Sequence, residues 1–424
     1  MEVTIERILP GGLGLAHAEG RTVMVPLAAP GDRLRVQIDR VKGNVSFGLI
    51  QEIITPSPDR VEPPCPYFGR CGGCDFQQIT YQAQLDAKCE IIRDCLRRIG
   101  GIENIPAFQI TPAPSPWHYR SRAQWQYDAI RRKLGYFESG SRRVCDVAEC
   151  AVLAPELQET LESLRARMDD GSLPEEARDF RAVVGDDGVS IAPSVSSPTV
   201  REGNDPTGKS EEVRQVTRSI HGESYRMNAE SFFQANNDLL PQLIDAAISG
   251  VGGEAAVELY CGVGLFTLPL ARRFARVVGV EADPAAAHFA RTNLASAALA
   301  NTEIANQDVG EWLEENMECG EFSPPSEKRR LFAALQSRLD FLLLDPPRTG
   351  AESRVIAGIL KLRPQRICYV SCDPATLARD LKKLIAGAYT LNSISAFDMF
   401  PQTHHVETVV HLLASIAPAA SPPA

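Results

Sequence analysis

Cys372 stands where an apolar run, Ile367-Cys368-Tyr369-Val370-Ser371, gives way to a helical pattern from Ala375 to Leu384. The run reads as a buried parallel strand. The thiol then lies at a strand's carboxyl end, where open α/β sheets bind their ligands. Amides at the head of the next helix can lower a thiol pKa, so Cys372 is a candidate nucleophile. Glu407 follows His404-His405-Val406 and enters the apolar run Thr408-Val409-Val410-His411-Leu412-Leu413. It is a candidate general base, the simpler alternative being an ordinary ion pair. Asp345 ends the strand-like Phe341-Leu342-Leu343-Leu344, and Pro346-Pro347 fix the backbone behind it.

A second constellation belongs to a cofactor. Ala255–Tyr260 reads as a strand, Cys261-Gly262-Val263-Gly264 as a tight turn, and Leu265 to Phe274 as a helix. The next strand, Val277–Glu281, ends in a carboxylate at the spacing, roughly 20 residues, of a ribose-gripping acid. Thr267 occupies the place of the third glycine in the dinucleotide fingerprint. The turn therefore suits S-adenosylmethionine, which has a ribose and no pyrophosphate, better than a nicotinamide dinucleotide. Asn306-Gln307-Asp308 ends a third strand, from which an acid or an amide could reach the adenine.

Together these groups permit one demanding reaction. Carbon 5 of uracil is a poor nucleophile until a thiolate adds at carbon 6. It then attacks the methyl group, a base removes the proton at carbon 5, and elimination frees the thiol. The pyrimidine must be flipped out of any stack. Amino-group methyltransferases end a motif like Asp345-Pro346-Pro347 with an aromatic residue, whereas Arg348 follows here, which argues against an exocyclic amine as substrate.

A separate set of thiols fills a glycine-rich loop: Cys65, Cys71 and Cys74, with Cys150 as the fourth candidate and Cys145 as its rival. Four thiolates can hold zinc or a [4Fe–4S] cluster. Zinc sites favour paired short spacings in both halves. The three-plus-one layout points to iron–sulfur. Cys89 and Cys95 fall in a helical pattern around 79–100 and read as packing residues.

The elements that must carry these groups can be read in outline. The chain has 424 residues and a formal net charge of −10, enough for two or three domains and no advertisement for nucleic acid, although a local basic groove can sit on an acidic protein. No stretch approaches the roughly 20 apolar residues of a membrane span, and no signal-peptide pattern opens the chain. A cytoplasmic, monomeric protein is the default expectation, with reduced cysteines. Residues 1–56 alternate in short strands with glycine turns, as in a small β-barrel. Residues 57–225 form a central α+β domain where Trp117-His118-Tyr119-Arg120-Ser121-Arg122 interleaves basic and aromatic residues in the manner of an RNA-binding surface. Within it, Asp169 to Ser224 reads as loop-broken. Residues 226–415 form the cofactor domain, with a polar insertion from Leu313 to Arg338, and 416–424 form a tail.

Two resemblances add to this. Gly11-Gly12-Leu13-Gly14-Leu15-Ala16, Val25-Pro26 and Pro30-Gly31-Asp32 resemble the TRAM domain, an RNA-binding barrel. Across most of the chain, Cys65…Cys71-Gly72-Gly73-Cys74, Ser231-Phe232-Phe233-Gln234, Asp345-Pro346-Pro347-Arg348, Ser371-Cys372-Asp373-Pro374 and His404-His405-Val406-Glu407 resemble the RNA uracil-C5 methyltransferases, and the TRAM-like segment with its cysteines resembles their 23S rRNA branch. The resemblance implies an α/β, Rossmann-like S-adenosylmethionine-dependent domain with the helix near 79–100 packed on it. It implies Cys372 as nucleophile and Glu407 as proton acceptor, and Gln234, Tyr260, Leu265, Glu281, Asp308 and Asp345 as the S-adenosylmethionine site. It also implies a [4Fe–4S] cluster on Cys65, Cys71, Cys74 and Cys150. The expected substrate is a uridine in 23S rRNA. A tRNA substrate, and an RNA-binding iron–sulfur sensor without turnover, are the alternatives. Leu265 departs from the Asn common in relatives, so a backbone contact is expected there.

Overall fold

Alternation dictates the N-terminal sheet. Along Arg33–Lys42 the side chains first alternate between solvent and core, as a half-buried strand requires. Val3, Ile5, Ala16, Val23, Val25, Leu34 and Val36 close the interior. In this computed structural model, which describes residues 1–195, 213–317 and 339–415, the strands run in the order Glu2–Thr4, Arg33–Lys42, Val45–Thr55, Arg21–Pro26, Leu13–Ala18, Arg7–Ile8. Leu13–Ala18, part of the glycine-rich motif of the TRAM resemblance, is a further strand. Gly14 is required there by packing, since a Cβ would stand 2.8 Å from Ala28 Cβ. Asp32 is fully buried. It accepts hydrogen bonds from Ala29 and Ser57 amides, and a bidentate pair from Arg60, which ties the barrel to the chain that leaves it.

The described chain divides into two compact units. The first comprises Met1–Ile92, Ile110–Leu240 and Phe397–Val406. Beyond the barrel it contains a sheet ordered Val144–Asp146, Lys133–Phe137, Arg122–Asp128, Ala177–Gly185, Gly188–Val195. The helix Pro155–Asp169 buries Leu157, Leu161, Leu164 and Met168 in one core with Trp125 and Phe180. The loop-broken reading of Asp169–Ser224 is corrected here. Ala177–Gly185 pairs with Gly188–Val195, and Val216–Ile220 with Glu223–Met227; residues 196–212 lie outside the described residues. Charged residues on the open faces of these hairpins masked their period.

The second unit comprises Arg93–Gln109, Pro241–Ala396 and the chain from Glu407 on. Its strands are β1 (Gly253–Leu259), β2 (Phe274–Glu281), β3 (Thr302–Asn306), β4 (Phe341–Leu344), β5 (Arg366–Ser371), β6 (Tyr389–Phe397) and β7 (Glu407–Ala414). They are ordered β3-β2-β1-β4-β5-β7-β6. β1 to β5 are parallel and β7 runs antiparallel to β5. This is a doubly wound, Rossmann-like α/β sheet. β4 is buried along its whole length, as a strand covered on both faces must be. The helix after the glycine turn is shorter than expected, Thr267–Ala271, because β2 already begins at Phe274. The polar insertion begins later than Leu313. Val309–Met317 is a helix that buries Trp312 and Leu313, while 318–338 lie outside the described residues, as does the tail at 416–424.

The helix expected near 79–100 is Tyr81–Arg98. Within the first unit, Lys88 pairs with Asp398, both side chains fully buried, and Lys88 Nζ also donates to Phe400 O at 3.0 Å. Removing one partner of such a pair leaves an uncompensated buried charge. Lys88→Met should therefore cost about 3–5 kcal/mol, and the double change Lys88→Met with Asp398→Leu should recover most of it, both read from urea unfolding followed by tryptophan fluorescence. A double variant as unstable as the single one would show that the pair matters for more than its charges.

Candidate active site

The carboxyl ends of β1, β4 and β5 lie level. Leu259 pairs with Leu344 and Leu344 with Tyr369, so Tyr260 and Asp345 leave the sheet side by side, and Asp345 N donates to Leu259 O. β5 and β7 then decide the chemistry. Their antiparallel register runs from Arg366 opposite Leu413 to Ser371 opposite Thr408. One residue further along, Cys372 stands across from Glu407. The spacing of these residues in sequence gave no hint of this pairing.

Cys372 is half-buried. Burial pushes its thiol up to about 12. The Glu407 carboxylate adds to the push and Asp345 contributes, while Arg348 opposes it by charge and by hydrogen bond. The expected lowering by helix amides is thus corrected. The helix Pro374–Ala386 starts with a residue that has no N–H, and Asp373 Oδ1 takes the Thr376 amide at 2.8 Å. The helix head spends its donors on its own cap. Glu407 is 2% exposed and its Oε1 meets no hydrogen-bond partner. Burial, with Asp345 adding, holds its carboxyl well above the usual range against the pull of Arg348. Burial also pushes Asp345 up to about 7. A carboxyl tuned this way is suited to exchanging protons near neutral pH.

The loop carrying Asp345 and Arg348 is fastened from behind. Asp380 Oδ2 accepts from the Ala351 amide and the Tyr369 hydroxyl, each at 2.9 Å. Arg379 donates to Thr349 O and Ala351 O, and Thr376 Oγ1 to Arg348 O. Gly350, at φ +75°, has no room for a Cβ, which would meet Asp380 Oδ2 at 2.7 Å. None of these supports was read from the sequence; a buried acid on an amphipathic helix was the available signal.

The glycine turn fits a nucleoside. Tyr260, Gly262 and Gly264 all have positive φ, and a Cβ on Gly262 would meet nothing within 4 Å. Glu281 Oε2 accepts from Gly262 N at 2.8 Å and Oε1 from Asp283 N at 2.7 Å. Each oxygen keeps a lone pair for a ribose hydroxyl. Asp308 Oδ1 accepts from the Glu311 amide and from Arg354, so an adenine contact would fall to its other oxygen. Leu265 is 7% exposed. Gln234 is buried in the first unit, and its assignment rests on its motif. Sequence reading missed Glu258. This fully buried carboxyl is pushed up by burial to about 8 and bonded by Thr267, the residue in the third-glycine position.

In the first unit, Cys65, Cys71, Cys74 and Cys150 line one hollow together with Tyr67, Gln77, Arg120 and Tyr136. Cys145 does not line it; this thiol is buried in the neighbouring core and accepts from Arg70 Nε at 3.3 Å. Burial raises the thiols of Cys71 to about 11 and Cys74 to about 12. Among the described residues no three His, Cys, Asp or Glu side chains converge tightly enough for a single ion. The described cysteines are free.

Comparison with known proteins decides the family. The 23S rRNA (uracil(1939)-C(5))-methyltransferase RlmD of Pectobacterium atrosepticum is 32% identical over 447 residues, covering 97% of this chain and 93% of its own. The chain belongs to the RNA uracil-C5 methyltransferases. A family described as tRNA (Uracil-5-)-methyltransferase matches residues 209–415, and the TRAM domain of tRNA (uracil(54)-C(5))-methyltransferases matches 1–58. An uncharacterized RNA methyltransferase of Halalkalibacterium halodurans is 30% identical over 97% of this chain and 96% of its own. The crystal structure of Pyrococcus abyssi tRNA (uracil-54, C5)-methyltransferase with S-adenosyl-L-homocysteine superposes with a TM-score of 0.68 at 25% identity, covering 97% of this chain and all of that one. This RNA uracil-C5 methyltransferase is therefore an S-adenosylmethionine-dependent enzyme acting on RNA, with an N-terminal TRAM domain. That sets aside a sensor without turnover. No described helix is long and apolar enough to cross a membrane.

Because the Cys372 thiol lies above the usual range, its alkylation by iodoacetamide should quicken about tenfold per pH unit through neutrality, as the thiolate fraction does. Arg348→Met removes the group that opposes the rise and should slow alkylation several-fold at pH 9, read peptide by peptide in a mass spectrometer. An unchanged rate would show that the guanidinium does not stabilise the thiolate.

Proposed function

We propose that this enzyme methylates carbon 5 of a specific uridine in 23S rRNA through a covalent Cys372 adduct. The observation that carries the mechanism is the β5–β7 register, which sets a thiol opposite a buried carboxyl at the cofactor edge. S-adenosylmethionine supplies the methyl group. As the thiolate, its proton given up to solvent, Cys372 Sγ adds to carbon 6 of the flipped base, and the electron pair gained by the ring makes carbon 5 nucleophilic. Once carbon 5 carries the methyl group, Glu407 as the carboxylate accepts the carbon-5 proton, and the pair left behind expels the Cys372 thiolate as the ring regains its double bond. Arg348 favours the thiolate at both ends of this cycle. Tyr260, Leu265, Glu281, Asp308 and Asp345 are proposed to hold the donor, with Gln234 assigned by motif alone. The rRNA reading is supported by the full-length likeness to an enzyme named for 23S rRNA; tRNA is the second reading, favoured by the TRAM and structural matches.

The proposed division of labour gives RNA gripping to the barrel at 1–56 and the central domain at 57–225, and chemistry to 226–415. A monomer in the cytoplasm fits that role. Cys65, Cys71, Cys74 and Cys150 are proposed to hold a [4Fe–4S] cluster. Thiols spread around a hollow suit a polynuclear cluster better than one zinc ion, whose ligands sit at about 2.3 Å from a point. The cluster, when bound, would cross-link the loop at 65–74 to Cys150.

With labelled S-adenosylmethionine and bulk RNA, label should appear in 5-methyluridine of 23S rRNA. Label confined to tRNA would replace the substrate, and label in an amine-methylated base would reject the reaction. Cys372→Ala should abolish turnover. Glu407→Gln should leave the adduct unable to lose its proton, seen as a retarded protein–RNA band on a denaturing gel; absence of that band would count against Glu407 as the base. Protein prepared without oxygen should carry iron and sulfide in equal amounts, and stoichiometric zinc would overturn the cluster.

A further inference from the structure

The cysteine hollow contains two polar groups that the four thiols do not explain. Arg120 Nε is buried and meets no hydrogen-bond partner, and the same is true of the Tyr136 hydroxyl. Both residues line the hollow. After burial, the groups that act most strongly on Arg120 are Tyr119, Tyr136, Cys74 and Cys150. Those that act on Tyr136 are Cys150, Arg120, Cys71 and Cys74. The acid that lines the hollow, Glu149, is exposed.

Leaving these groups so is costly. A guanidinium is charged at every working pH; Arg120 as a residue is partly exposed, but its Nε–H is buried without an acceptor, and a buried polar group left so costs free energy. Arg120 is not free to leave: its backbone is pinned in a parallel bridge to Leu153 and an antiparallel one to Asn236, with Arg120 N donating to Val152 O and Ala154 N to Arg120 O. A protein that fixes a cation and a hydroxyl here has prepared the place for an acceptor of negative charge.

We propose that Arg120 and Tyr136 are the charge and hydrogen-bond partners of an anionic iron–sulfur cluster held by Cys65, Cys71, Cys74 and Cys150. The inference rests on the cluster reading above. A [4Fe–4S]2+ core with four thiolates carries a net charge of −2, and one added electron makes it −3. Arg120 Nε and Tyr136 Oη donate to its sulfurs or to the cysteine sulfurs. Positive charge and hydrogen bonds at cluster sulfurs favour the more negative, reduced state and raise the reduction potential. Tyr67 and the apolar wall from Val147 and Val152 limit water, so the loss of either donor is not made good by solvent. The hollow is thus built for a cluster of defined charge, which a neutral or cationic occupant would not satisfy.

The test is an EPR-monitored redox titration of the full-length holoenzyme, reduced by dithionite through mediators, beside iron and sulfide analysis. In wild type, four irons and four sulfides establish the cluster; iron-free protein, or zinc, defeats that reading and this inference with it. In loaded Arg120→Gln, the ratio of reduced to oxidised cluster at a fixed potential should fall about tenfold, which for one electron is about 59 mV. Tyr136→Phe should fall in the same direction by less. A loaded Arg120→Gln that titrates with wild type overturns the inference while leaving the cluster standing. Should Arg120→Gln not retain iron, Arg120→Lys decides: retained iron with a near wild-type potential supports the counter-charge, and an iron-free Arg120→Lys beside a loaded Arg120→Met refutes it.

Discussion

The active site depends on one register. β7 enters between β5 and β6 and runs against the parallel strands, pairing residue for residue with β5. Because antiparallel partners face each other across about 5 Å, a thiol at the end of one strand and a carboxyl at the start of the other become neighbours. A slip of one residue would turn both side chains to the opposite face of the sheet. The slip is resisted by burial: β5 and the first six residues of β7 are nearly all buried, so no alternative pairing keeps both faces apolar.

The same burial sets the electrostatics. Burial raises the pKa values of Cys372, Glu407 and Asp345; Asp345 adds to the rise of the other two, Glu407 adds to that of Cys372, and Arg348 is the counterweight for Cys372 and Glu407. A free protein arranged this way favours the protonated forms. The supports of Arg348 run backward through Thr376, Arg379 and Asp380 on one helix, so the cation is held by the element that begins two residues after Cys372.

The cysteine hollow follows a related logic. There Arg120 presents a buried Nε–H without an acceptor, and the groups beside it include thiols that burial raises. The hollow belongs to the first unit, as does the Asp75 carboxylate next to Cys74, which accepts from the His404 backbone amide at 2.8 Å and from its ring. The cysteine loop thereby grips the segment Phe397–Val406 within its own unit.

Strand and helix types were legible in the residues themselves: the β1–glycine turn–β2 unit, the buried β4 and β5, the barrel, and the candidates Cys372, Glu407, Glu281 and Asp345 all announce themselves by local pattern. The hairpins between Ala177 and Met227 did not, because short strands interrupted by charged residues show too weak a period to stand out. The Leu13–Ala18 strand hid behind its glycines. Nor could the chain reveal that Glu258 is bonded to Thr267, that Asp380 fastens the Asp345 loop, or that Arg120 Nε is buried without an acceptor. Local sequence determined which groups could react. Which of them meet, and at what pKa, was decided only by the tertiary structure, because strand register and burial are set by contacts between residues far apart along the chain.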